Sequence, residues 1–351
     1  MRALAFVVPG DLATLTGGYR YDRRLIEGLR AGGGWQVTCH SLDPGFPAPS
    51  DDALRDAAEK LAAIPDGRLT VIDGLAYGAM PEIAAAHAER LRLVALVHHP
   101  LADETGLAPG TAERLRQNER RALAVARRVI VTSPATARAV GGLGVPAERI
   151  DVVEPGTDPA PLARGSAGRV LGLLCVGAIT PRKGHAVLIE ALARIADRAW
   201  HLVCVGDLDR SPATVADVRH RIDALGLSGR VTLTGEEGED AIGSYYQRAD
   251  VFVLPSFHEG YGMALAEALA HGLPIVSTRA GAIPDTVPQD AGRLVPPGDP
   301  AALAGALAAL LDDPSLRGRL AAGARAARER LPSWETACGR FAAALERAAG
   351  A

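Results

Sequence analysis

Short apolar runs alternate along the chain with longer stretches whose apolar residues recur at helical spacing. In the first half the short runs fall at 4–8, 36–42, 69–72, 91–97, 129–132 and 150–153. Stretches of helical period separate them at 19–29, 52–63, 81–91, 111–126 and 134–143. The second half repeats the rhythm, with strand candidates at 170–176, 201–205, 231–234, 251–255 and 275–277. Its helices are expected at 185–196, 213–225, 240–248, 262–271 and 300–311, and a last amphipathic helix carries Trp334, Phe341 and Leu345. Near-continuous apolar strands alternating with helices predict parallel sheets covered on both faces. Two such sets in 351 residues predict two Rossmann-like α/β domains, since a domain takes about 100–200 residues. The joint is visible as the Pro- and Gly-rich segment 154–168, which has no apolar period. It divides the chain into 1–160 and 161–332, with the helix 333–351 expected to pack back on the first domain.

Charge and composition narrow the partners. A net charge of −3 gives no basic field for nucleic acid. No apolar run approaches the ~18 residues of a membrane span, and the apolar part of the first ten residues is too short for a signal peptide. These features predict a cytoplasmic protein with no transmembrane segment, leaving room for peripheral membrane contact. The four cysteines, Cys39, Cys175, Cys204 and Cys338, form no Cys-x-x-Cys pair; three lie in apolar β-like runs and read as buried free thiols. Of 38 basic residues only Lys60 and Lys183 are lysine, so a lysine here marks a place where arginine will not serve.

In an open parallel sheet ligands bind beyond the carboxyl ends of the strands, so the loops after strands hold the candidate chemistry. The loop Val176-Gly-Ala-Ile-Thr-Pro-Arg-Lys-Gly184 offers glycines, a helix N-terminus and the rare Lys183, a set that favours a phosphate over the alternative of a solvated turn. After the run 251–255 comes His258-Glu-Gly-Tyr-Gly-Met-Ala-Leu-Ala-Glu-Ala-Leu-Ala270. Glu259 falls in the loop and Glu267 about a turn and a half inside an otherwise apolar helix, where a carboxylate needs a partner. Thr278-Arg-Ala-Gly-Ala-Ile-Pro284 is expected to turn backbone amides towards the same place. In the first domain Gly17 and Gly18 join the first strand to its helix, without the Gly-x-Gly-x-x-Gly of a dinucleotide fold. His98 and His99 follow the fourth strand, as site residues or as structural histidines. Asp207-Leu-Asp209 reads as a loop rather than a metal motif.

Taken together these loops resemble glycosyltransferase family four, retaining transferases of GT-B architecture. Glu259 and Glu267 match its E-x7-E motif, 176–184 its Val-Gly-Arg…Lys-Gly loop, and Ile150-Asp-Val-Val-Glu-Pro-Gly-Thr-Asp-Pro159 its linker. Gly292-Arg-Leu-Val-Pro-Pro-Gly-Asp299 and Ser333-Trp-Glu335 fit as well. The resemblance implies two sheets facing across an interdomain cleft and metal-independent transfer from a nucleotide-diphosphate sugar, UDP- or GDP-linked. The acceptor would be a glycan, a lipid-linked molecule or a small molecule, and no further cofactor is implied. It implies that Lys183 neutralises the diphosphate, Glu259 binds hydroxyls of the transferred sugar, and Glu267 binds the ribose. Gly177, Gly260, Tyr261, Gly262 and Met263 would meet the phosphates, with Gly17 and Gly18 closing over them. His98 would stand beside the reacting sugar. Ala178 replaces the family's diphosphate-binding arginine, a place Arg182 could fill. A GT-B epimerase or phosphorylase, and a catalytically weak sugar-nucleotide-binding protein, are the alternatives.

Overall fold

The computed structural model describes residues 1–168 and 170–350; Arg169 and Ala351, the last residue of the expected final helix, lie outside the described residues. The chain divides into two compact units, Met1–Gly156 joined by the segment from Pro332 onward, and Thr157–Leu331. The division falls four residues earlier than expected at 160 because the following segment is bonded to the second unit. Ala163 N–H donates to His271 O at 2.8 Å, Arg328 donates to Ala160 O at 2.8 Å, and His271 Nδ1 lies 2.8 Å from Pro161 O.

The first unit is built on β1 (Arg2–Pro9), β2 (Trp35–Leu42), β3 (Leu69–Asp73), β4 (Arg92–Val97), β5 (Arg128–Val131) and β6 (Ile150–Val152). They pair in parallel in the order β2-β1-β3-β4-β5-β6. Helices cover both faces of β1, β3 and β4, so their runs of Leu, Val, Ile and Phe are buried throughout. The helix Trp334–Gly350 belongs to this unit through buried Trp334, Phe341 and Leu345. It approaches the helix Gly17–Ala31 so closely that a Cβ at Gly28 would sit 2.2 Å from Cys338 Sγ, which restricts that position to glycine.

The second unit contains β7 (Leu171–Val176), β8 (Trp200–Val205), β9 (Val231–Gly235), β10 (Val251–Leu254), β11 (Ile275–Thr278) and β12 (Gly292–Val295). All pairs are parallel, in the order β12-β11-β10-β7-β8-β9. Besides the short helix Ile283–Thr286, a strand and a longer helix lie beyond the expected set. β12 is a four-residue edge strand with exposed Arg293, and the helix Pro314–Arg328 buries Leu320, Gly323, Ala324 and Ala327, small residues that leave a faint apolar period. Among the described residues no helix is long and apolar enough to cross a membrane.

Candidate functional site

Strand order reverses between β10 and β7, and at such a switch point the loops diverge to leave a crevice at the strands' carboxyl ends. Two of the loops singled out by sequence leave the sheet there, 177–184 after β7 and 255–262 after β10. Backbone contacts tie them together. Phe257 N–H donates to Arg182 O at 2.7 Å, and Gly184 adopts the left-handed conformation with its Cα so near Pro255 that a Cβ would lie 2.2 Å from its carbonyl oxygen. Only glycine fits both the conformation and the approach.

The polar centre of these loops is Glu259, 6% exposed. Its Oε1 accepts from Lys183 Nζ at 2.6 Å and from Ser256 Oγ at 2.6 Å, while Arg182 Nη1 stands 3.5 Å from Oε2. Burial pushes the carboxyl up, but the Lys183 and Arg182 charges and the Lys183 and Ser256 hydrogen bonds outweigh it and hold it at about 2. The Lys183 stem lies against Gly177, where a Cβ would stand 3.4 Å from Lys183 Cε. Arg182 also donates to His258 O at 2.9 Å, so its guanidinium clamps the Glu259 loop in addition to placing charge beside it. The loop after β11, expected to turn backbone amides towards the same place, backs this one with one of them: Ala282 N–H donates to Glu259 O at 2.8 Å, and a Cβ at Gly281 would lie 2.3 Å from that oxygen. Because the folded carboxyl lies below its unfolded value, the Glu259 contribution is fully present above about pH 4.5 and lost as pH falls towards 2, on the order of 3 kcal/mol. Urea denaturation between those pH values should show the second unit weakening on acidification, and Glu259→Gln should flatten that dependence.

Glu267 is half-buried, and its Oε2 accepts from the Tyr246 hydroxyl at 3.0 Å. Tyr246 is itself fixed, stacked on His271 at 4.9 Å and on Phe252 at 5.7 Å. The helix bearing Glu267, Met263–Ala270, starts from Gly262 in the left-handed conformation with no side-chain cap. Its first turn therefore turns peptide N–H groups towards the end of the sheet where Lys183 and Glu259 lie. Gly260 and Tyr261 lead into this turn and Met263 opens it, and the Tyr261 carbonyl is anchored by the Thr286 hydroxyl at 2.6 Å. Asp207 Oδ1 accepts from the amides of Asp209 at 2.7 Å and Arg210 at 3.2 Å, an Asx-type turn.

In the first unit the order reverses at β1 and β3, and three side chains converge there. His98, just after β4, has Nε2 3.3 Å from Asp22 Oδ1 and 3.2 Å from Asp73 Oδ2, neither contact aligned as a hydrogen bond. Burial alone would lower its basicity; Asp22 and Asp73 outweigh that and favour the protonated ring well above the ordinary histidine range. Gly17 and Gly18 form the first turn of the helix Gly17–Ala31, capped by Thr16, and a Cβ at Gly18 would lie 3.6 Å from His98 Nε2. His99 Nε2 instead faces Glu104 Oε2 at 3.5 Å, so of the two histidines His98 shares the neighbourhood of Gly18.

Sequence reasoning did not find Asp22, Asp73, Tyr246 or Ser256, because each gains its meaning from a partner distant in sequence or hidden by the turn. Of the three cysteines expected to be buried free thiols, Cys175 and Cys204 are, while Cys39, on the edge strand β2, is exposed; Cys338 is half-buried. Cys175 and Cys204 face each other in register, with His185 Nε2 3.6 Å from Cys175 Sγ. Among the described residues, Cys175 with His185 and Cys204, and Asp22 with Asp73 and His98, each bring three metal-ligand atom types within 4.8 Å.

Residues 171–313 match the model of the family Glycosyl transferases group 1, and residues 17–161 that of Glycosyltransferase Family 4. The MMP alpha-(1->4)-mannosyltransferase of Mycolicibacterium hassiacum is 30% identical over 322 residues, 87% of this chain and 76% of that protein. The D-inositol 3-phosphate glycosyltransferase of Xylanimonas cellulosilytica is 35% identical over 211 residues, 55% of this chain and 50% of that one. The chain spans about half the length of the first curated relatives it matches, 50% and 46%. Sucrose-phosphate synthase from Thermosynechococcus elongatus superposes with a TM-score of 0.83 at 25% identity, covering 98% of each chain. HepE of Anabaena in complex with UDP-glucose gives 0.75 at 21% identity, covering 99% and 100%. The architecture is the GT-B fold.

Proposed function

The chain belongs to glycosyltransferase family 4, within glycosyl transferases group 1, and from that premise we propose that it moves a glycosyl residue from a nucleotide-diphosphate sugar to an acceptor hydroxyl with retention at the anomeric carbon. The observation that carries the reading is the β7–β10 switch point. It gathers a lysine, two carboxylates with separate partners and an uncapped helix N-terminus.

Breaking the bond from the anomeric carbon to the phosphate builds positive charge on the sugar and negative charge on the departing diphosphate. Lys183 and the amides around Gly260, Tyr261, Gly262 and Met263 would stabilise that anion, with Gly177 permitting close approach. Arg182, Lys183 and Glu259 together leave one net positive charge, supplied without a metal. Glu259, held ionised, would accept from hydroxyls of the transferred sugar, and Glu267 from the ribose. By the same reading the first unit supplies His98 for the sugar and the Gly17 and Gly18 turn for the diphosphate. A UDP- or GDP-sugar is the donor proposed, the former supported by the likeness to HepE bound to UDP-glucose.

A panel of UDP-, GDP- and ADP-sugars tests this. A ligand that binds only the folded state raises apparent stability, by about 2.7 kcal/mol at a hundredfold excess over Kd. One base should therefore raise the melting temperature, and the same donor should release nucleoside diphosphate in the presence of acceptor and EDTA. No shift with any nucleotide sugar overturns the donor site. Activity abolished by chelator overturns the metal-free charge neutralisation.

A further inference from the structure

Asp22 is a side chain that the transfer reaction as described leaves without a task. It is fully buried in the helix Gly17–Ala31, and neither of its carboxylate oxygens has a hydrogen-bond partner. A buried carboxylate persists only where a nearby opposite charge offsets its lost hydration, and the cation beside it is His98. Asp73 differs: it is the last residue of β3, and its Oδ1 accepts from Leu75 N–H at 2.7 Å, so it also starts the next helix. Nothing comparable holds Asp22.

We propose that Asp22 is a positioning residue: together with Asp73 it fixes His98 as a singly oriented imidazolium, Nε2 turned inward, so that His98 meets the transferred sugar as a standing charge and donor and never as a base. The proposal rests on the reading that places His98 beside that sugar. Its geometry is independent of the reading. Asp22 comes from the helix after β1, Asp73 from the end of β3 and His98 from the end of β4, three neighbouring strands of one sheet. The hydroxyls of Thr132 and Thr136 donate to the His98 carbonyl at 3.0 and 3.4 Å, fixing the backbone from which the ring projects. Tyr21 stands edge-on to the ring at 5.6 Å, its hydroxyl donating to Val153 O at 2.8 Å. Nε2 is sealed from solvent while the side chain is 19% exposed, so the accessible part of the ring lies elsewhere on it. The titratable side chains that face the ring are Asp22 and Tyr21 on the one helix and Asp73 at the end of β3. The two carboxylates favour the charged ring, which is the direction in which His98 is shifted.

Histidine NMR on the full-length protein, with His98 assigned from the signal lost in His98→Gln, reads the ring directly. In the unmodified protein His98 should stay doubly protonated from about pH 5.5 to about pH 8.5, where an ordinary histidine deprotonates. Asp22→Asn should bring its titration into that range, and donor turnover should then fall about tenfold between pH 6 and pH 8 where the parent is flat. A merely structural role would lower turnover equally at both pH values. If Asp22→Asn does not fold, Asp73→Asn serves for the same readouts. Titration of the parent His98 between pH 6 and 7, or no change on substitution, overturns the proposal. So does a His98 signal that moves on adding zinc and returns with EDTA, which would make the trio a metal site. His98 behaving as expected in a protein that turns over no nucleotide sugar counts against the transferase reading instead, since the NMR arm does not depend on it.

Discussion

Replacing Lys183 by alanine is expected to lower the turnover of nucleotide sugar by about 10²–10³-fold, the scale on which preorganised charge stabilisation acts. The effect should fall mainly on kcat, because the charge on the departing diphosphate is larger in the transition state than in the bound donor. Lys183 cannot be covered from nearby: Arg182 is committed to His258 O and Glu259, and Ala178 carries no charge. The substitution also strips Glu259 of its strongest partner, so the variant should lose part of the low-pH dependence that Glu259 gives the parent. Lys183→Arg should recover little, since a planar guanidinium does not fit where a compact ammonium meets Glu259 at 2.6 Å beside Gly177. Steady-state kinetics with the donor found in the panel decides it. An unchanged kcat with a raised KM would reduce Lys183 to a ground-state binding residue.

The rarity of lysine in this chain pointed to Lys183 before any coordinates, and the apolar helix around Glu267 pointed to that carboxylate. Both signals are breaks in a local pattern, and local patterns are what a sequence displays. The strand–helix alternation is equally local, so the two parallel sheets were legible from it. β12 and the helix Pro314–Arg328 were not, because a four-residue edge strand and a face of Ala and Gly bury too little to leave a periodic trace. The partners that give the site its chemistry were hidden for a different reason. Tyr246 lies 21 residues from Glu267, and Asp22 lies 76 residues from His98, contacts that exist only once the strands are ordered in the sheet. Ser256 is only three residues from Glu259, but its hydrogen bond depends on the turn between them.

Glu267→Ala is expected to weaken binding of the free nucleoside diphosphate by about 1.5–3 kcal/mol, roughly 10- to 150-fold in Kd, the range for hydrogen bonds to a charged group. The effect should be on the ligand rather than on folding. Tyr246, which loses its bond to Oε2, keeps a second acceptor in Ala264 O at 3.2 Å and remains stacked between His271 and Phe252. Tyr246→Phe removes one neutral donor to the same carboxylate and should weaken binding by the smaller amount of about 0.5–1.5 kcal/mol. Since both act through Glu267, the double variant should lose less than the sum of the two, a coupling that separates a shared ribose contact from two unrelated perturbations. Calorimetric titration of the four proteins with UDP and with GDP measures all of this. Equal affinity of the parent and Glu267→Ala for whichever nucleotide binds would remove Glu267 from the donor site and leave it as the hydrogen-bond partner of Tyr246.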